Sequence, residues 1–148
     1  MRRISKDMYY LSIARAVLER SDCLRRRYGA VIVNNDEIVS TGYNGAPRGG
    51  ESCMDYGKCY REQLGIPKGQ RYELCRTVHA EQNAIISASR QEMLGATMYI
   101  VGLEADGSFA DPNPCLLCSR LIKNAGIEKL VLQMPDGSVK TVLVCEDN

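Results

Sequence analysis

No stretch of the chain approaches the roughly 20 consecutive apolar residues that a membrane-spanning helix needs. The N-terminus, MRRISKDMYYLSIARAVLERSD, opens with paired arginines, but no uninterrupted apolar segment follows, so it does not read as a signal peptide. An excess of one charge is also missing. Nineteen Lys and Arg stand against eighteen Asp and Glu, a formal net charge of +1, which argues against a general nucleic-acid or membrane surface. There is no internal repeat, low-complexity tract or interdomain linker. A length of 148 residues then suggests one domain over 1–148, large enough to bury a core without covalent staples. These absences point to a cytoplasmic protein. Reducing conditions there would keep its seven cysteines as thiols, open to metal binding or catalysis. Histidine is the scarcest reactive residue: His79 stands alone.

What is present reads as alternating helices and strands. Residues Asp7 to Glu19 have helical periodicity, with Asp7 as the expected N-cap and Tyr10, Ile13, Ala14 and Val17 on one face. GAVIV and IVSTG, joined by NNDE, read as a β-hairpin. From Tyr43 to Glu73 the chain is rich in Gly, Cys and charge without clear period, and so long a loop should be functional or held by something. Thr77 to Arg90 reads as a helix and ATMYIV as a strand. DPNPCLLCSRLIKNAG begins as a turn, becomes a helix and stops at Gly126. KLVL, the turn MPDGS and VKTVLV complete a layered α/β pattern, with Cys145 expected in the core of the last strand.

Two short stretches carry chemistry. In RTVHAEQNAI, His79 precedes Glu81 by two residues. Alone, such a histidine reads more readily as a satisfied core residue than as a metal ligand. In PNPCLLC, Cys115 and Cys118 are spaced i, i+3 at an expected helix start, a setting that favours thiolates. Alone, this pair suits half a structural zinc site or a redox couple. Joined, one His and two Cys leave the fourth place of a zinc open to water, whose pKa the metal lowers. Glu81 is close enough in sequence to move protons there. H-x-E followed by P-C-x-x-C is the signature of the zinc deaminases.

With STGYNGAPRGG ahead of VHAEQNAI and PCLLC, the chain resembles the deoxycytidylate deaminases of the cytidine-deaminase superfamily over nearly its full length. The resemblance implies a three-layer α/β/α fold with a mixed five-stranded sheet, and a homo-oligomer. It implies catalytic zinc on His79, Cys115 and Cys118, with Glu81 as the proton carrier. The reaction implied is deamination of dCMP to dUMP and ammonia, which would supply dUMP for thymidylate synthesis. It also implies that the Ala80 backbone N–H binds the pyrimidine O2 and that Asn44 binds the sugar. Arg90 is the first choice for the 5′-phosphate, with Arg26, Arg27 and Arg48 competing. The run Arg25–Arg27 reads either as a solvated segment or as a small anion site. Effectors dCTP and dTTP belong to the family pattern.

Cys23, Cys53, Cys59 and Cys75 flank or lie within the long loop, where four thiols suit a second, structural zinc. The resemblance supports Cys23 and Cys53 as its ligands, and Cys59 and Cys75 complete the set by inference. Two other readings remain open. One is a superfamily deaminase acting on tRNA adenosine or guanine. The other is a non-catalytic zinc-stabilised binding protein, against which an intact Glu81 speaks.

Overall fold

The computed structural model describes residues 2–67 and 77–146. Helix α1 (Lys6–Val17) starts one residue earlier than the pattern suggested. Ser5, not Asp7, is the N-cap, its hydroxyl accepting the Met8 N–H at 3.1 Å, and Asp7 lies in the first turn where the helix dipole favours an anion. A short 3₁₀ turn, Leu18–Arg20, leads towards β1 (Arg26–Asn34), which folds back on β2 (Glu37–Tyr43). Asn35 and Asp36 make the hairpin turn with φ of 52° and 60°, a conformation that these two residue types tolerate.

Strand β3 (Thr97–Glu104) pairs antiparallel with β1 on its other side. Helix α6 (Leu116–Ala125) then carries the chain to β4 (Lys129–Gln133), parallel to β3, and β5 (Val139–Leu143) closes the sheet antiparallel to β4. The order is β2-β1-β3-β4-β5, a mixed five-stranded sheet as expected. The parallel step needs a crossover helix, which α6 supplies. Alternation along each strand sorts the side chains into two cores. Val31, Val33, Tyr99, Val101 and Val131 pack under Tyr10, Leu11, Ala14 and Leu18. On the other face Ala30, Ile32, Met98, Ile100 and Leu132 meet Ala80 and Ala84 of α4 (Ala80–Ile86) and Ile122 and Ala125 of α6.

The structure corrects several expectations. The stretch read as one helix from Thr77 to Arg90 starts at Ala80 and breaks. α4 ends at Ile86, and Ser89 caps a separate turn, α5 (Arg90–Met93). The long segment after Tyr43 contains two short helices, α2 (Cys53–Tyr56) and α3 (Tyr60–Gln63); part of it, residues 68–76, lies outside the described residues. Cys145 is exposed in a 3₁₀ turn after β5, because the strand ends two residues earlier. Among the described residues no helix is long and apolar enough to cross a membrane.

One contact fixes α4 against the sheet. A Cβ on Gly42 of β2 would lie 2.3 Å from the Ala80 carbonyl oxygen and 2.4 Å from the Ala84 nitrogen. Both are backbone atoms of α4, so only glycine admits the helix this close.

Candidate active site

The first turns of α4 and α6 meet at one end of the sheet. His79 is the N-cap of α4 in extended backbone conformation, and its N–H donates to the Gln82 side-chain oxygen at 2.8 Å. Cys115 is the N-cap of α6, and its sulfur accepts the Cys118 N–H at 3.5 Å. A cap position turns the side chain towards the orphan N–H groups of the helix, so both caps face the gap between the helices. His79 Nδ1 lies 3.2 Å from Cys118 Sγ and 3.6 Å from Cys115 Sγ. Two donors on a tetrahedral zinc lie roughly 3.5–3.8 Å apart, given usual Zn–N and Zn–S lengths. Among the described residues this is the only group of three or more metal-ligating side chains whose donor atoms all lie within 4.8 Å of one another.

The electrostatics fit a cation. Burial pushes the Cys118 thiol up, with the Glu81 carboxyl and the Cys115 sulfur adding to the effect. Desolvation of the buried sulfur thus opposes the thiolate that a helix start favours. Burial, joined by the Arg61 guanidinium, holds His79 below the usual imidazole value and so in the neutral form that a metal binds. A divalent cation would supply the charge that releases the thiol protons. His79, Cys115 and Cys118 would hold a zinc ion, leaving one tetrahedral place open.

Glu81, in the first turn of α4, is only 7% exposed. Burial pushes its carboxyl above the ordinary carboxylate range, while hydrogen bonds from its own backbone and from Cys118 pull the other way. It faces a cavity of about 170 Å³ whose lining includes Asn44, His79, Ala80, Glu81 and Cys115. A buried acid whose pKa is raised by desolvation is equipped for proton transfer.

Ala80 is fully buried at the cavity floor. Asn44 also lines the cavity, but most of its amide is engaged. Oδ1 accepts from Tyr28 N at 2.8 Å and from Ser21 Oγ at 2.5 Å, and Nδ2 donates to the Arg26 carbonyl at 2.9 Å. One amide N–H remains available to a ligand.

Within the chain Arg90 is not brought to the cavity. It is exposed at the start of α5, beyond the far end of α4. Arg27 pairs with Glu19, and Arg48 is exposed outside the lining. The arginines that do line the cavity are Arg25, Arg26 and Arg61. Arg25 meets Glu62 at 2.9 Å and Arg26 meets Glu104 at 2.5 Å. Arg25 and Arg26 were visible as part of the basic run; Arg61 and Tyr28 carried no signal. Cys23, Cys53 and Cys59 line the same cavity, while Cys75 lies outside the described residues.

Comparison with known proteins agrees with this geometry. The family described as "Cytidine and deoxycytidylate deaminase zinc-binding region" matches residues 4–134. The chain is 39% identical over 136 residues to the deoxycytidylate deaminase of Mycobacterium phage D29, covering 88% of this chain and 96% of that one. It is 36% identical over 129 residues to the deoxycytidylate deaminase of Schizosaccharomyces pombe, covering 87% of this chain but 37% of that longer protein. In fold it is similar to the dCMP deaminase of cyanophage S-TIM5 solved with dCMP and dUMP, at a TM-score of 0.61 and 24% identity, over 89% of this chain and 83% of that one. The match across most of the chain, the identity with the phage relative and the His79–Cys115–Cys118 cluster lead to one assignment: the chain belongs to the cytidine and deoxycytidylate deaminase family.

Proposed function

We propose that the chain catalyses zinc-dependent hydrolysis of dCMP to dUMP and ammonia, as a single cytoplasmic domain in a homo-oligomer. One observation carries the reading: a buried carboxyl, Glu81, lines the same small cavity as His79 and Cys115, two members of the His79–Cys115–Cys118 donor set. Zinc, when bound, supplies a Lewis acid that lowers the pKa of a water at its open position.

The remaining work falls to the chain's own residues. The cytosine ring sits over Ala80, whose small side chain leaves room and whose N–H at the helix start reaches the pyrimidine O2. Glu81 takes a proton from the attacking water and delivers it to ring N3; it then takes the proton of the new C4 hydroxyl and passes it to the amino group, which leaves as ammonia as the C4–N bond breaks and the C4 carbonyl forms. Burial suits this double duty, because raising the carboxyl pKa makes Glu81 a stronger proton acceptor while it can still give the proton up. The remaining N–H of Asn44 meets the sugar. Arg25, Arg26 and Arg61 give the cavity the positive charge that a phosphate requires. For Arg90 to contribute, a neighbouring subunit would have to present it. Exposed leucines on α6, Leu116 at 77% among them with Leu117 and Leu121, support self-association. Effector control by dCTP and dTTP belongs to the same proposal, as does a second zinc held by Cys23, Cys53, Cys59 and Cys75.

The test is ammonia release by the zinc-loaded protein from dCMP, dCTP, deoxycytidine, guanine and tRNA. Turnover of dCMP above all others is expected. Preference for guanine or tRNA would overturn the substrate assignment, and no turnover of any would favour a binding protein.

A further inference from the structure

The pairing of β1 with β3 places Tyr28 directly opposite Gly102. A Cβ on Gly102 would lie 2.3 Å from Cε1 and 2.6 Å from Cδ1 of the Tyr28 ring. The ring therefore lies across β3 in the space that a side chain at 102 would fill. Its hydroxyl passes beyond the strand and donates to the Asp111 carbonyl oxygen at 2.8 Å. Four residues later in the chain stands Cys115.

The segment between is built, not slack. The Ala110 N–H donates to the Gly102 carbonyl at 2.9 Å. Asp111 Oδ1 accepts the backbone N–H of Asn113 at 3.0 Å and its Nδ2 at 2.7 Å. Pro112 is fully buried, and with Asn113 it forms part of the cavity lining. At its other end Tyr28 is gripped by Asn44, which accepts its N–H at 2.8 Å and donates a backbone N–H to its carbonyl at 3.3 Å. One residue thus joins the loop bearing Asn44 to the loop that delivers Cys115.

We propose that Tyr28 is a positioning residue for the metal site, its hydroxyl holding the segment from Asp111 to Cys115 so that the Cys115 sulfur stays on its ligand position. Gly102 is its necessary partner, because only glycine lets the ring cross β3. The proposal rests on His79, Cys115 and Cys118 being zinc ligands. Phenylalanine at 28 would fill the same space without the tether, and an aliphatic side chain would not reach Asp111.

The experiment follows zinc transfer from the zinc-loaded full chain to a chromogenic chelator, for wild type and Tyr28→Phe, alongside the urea midpoint and the separate kcat and KM for dCMP. Zinc release from Tyr28→Phe should be faster by about ten-fold, equivalent to about 1.4 kcal/mol and within the range of one hydrogen bond. kcat should fall with KM nearly unchanged, since the loss is in ligand placement. A purely structural role would lower the urea midpoint and leave native-state zinc release alone. Equal release rates in the two zinc-loaded proteins would overturn the proposal while leaving the ligand assignment intact. A wild type that takes up no zinc would overturn the ligand assignment, and the proposal with it. As a second arm, Gly102→Ala should speed release in the wild-type background and add nothing to Tyr28→Val; additive effects would count against the coupling.

Discussion

Replacing Glu81 by glutamine tests chemistry and stability together. The side chain keeps its size, so the packing of α4 against Gly42 is retained, but the group can no longer give and take a proton. A positioned acid–base group contributes roughly 100- to 10,000-fold, or about 2.7–5.5 kcal/mol of barrier. A fall of that size in kcat for dCMP is expected. Zinc content should hold, since Glu81 is not one of the three clustered ligands. Stability supplies the second readout. Burial raises the Glu81 pKa in the folded chain, so between its unfolded and folded values the native state binds more protons than the unfolded state. Stability contributed by this group is complete below the unfolded value and is lost as pH rises through the folded one. Glutamine carries no such dependence. In the metal-stripped protein the two urea midpoints should be alike near about pH 4 and diverge with rising pH, the glutamine variant becoming the more stable. Turnover within a few-fold of wild type would remove Glu81 from proton transfer. Parallel midpoints across the pH range would show that its carboxyl is not held protonated by burial.

A phosphate site built on Arg25, Arg26 and Arg61 predicts a kcat/KM for dCMP well above that for deoxycytidine, and Arg26→Ala should narrow the ratio by roughly 10- to 100-fold, the worth of one charge-assisted contact; equal loss on both substrates would assign Arg26 a structural role through Glu104 instead. Gly42→Ala should cost more than about 3 kcal/mol in urea denaturation, because the new Cβ meets backbone atoms of α4 and not a movable side chain; a neutral result would mean that α4 can retreat from β2. Metal analysis should find two zinc ions per wild-type chain and one in Cys59→Ser, and a single ion in the wild type would dismiss the second site.

The sheet was legible because its strands are β-branched runs bounded by turn residues, and the metal ligands because their spacing is tied to helix starts. What escaped reading was of two kinds. Helix limits depend on caps: Ser5 competes with Asp7, and Ser89 with Glu92 forms a capping box that interrupts what apolar periodicity alone runs together. Ser52 and Asp55 form the same device at α2, a pattern present in the sequence but hidden inside a stretch without period. The second kind is distance in three dimensions. Arg90 lies on the chain after the metal helix, yet the break at Ser87 leaves it beyond the far end of α4 from the site. Tyr28 looks like any strand aromatic until β3 places a glycine opposite it.

The connectivity of β1 also orders events in folding. It finds β2 across a two-residue turn, but it finds β3 only after the whole intervening loop and α4 have been spanned. The hairpin is therefore a local and rapid event, while the β1–β3 pairing waits on long-range loop closure. His79 lies before β3 and Cys115 after it, so the three ligands converge only once that central pairing exists. Zinc binding is therefore expected after the β1–β3 pairing, and it should slow unfolding more than it speeds refolding.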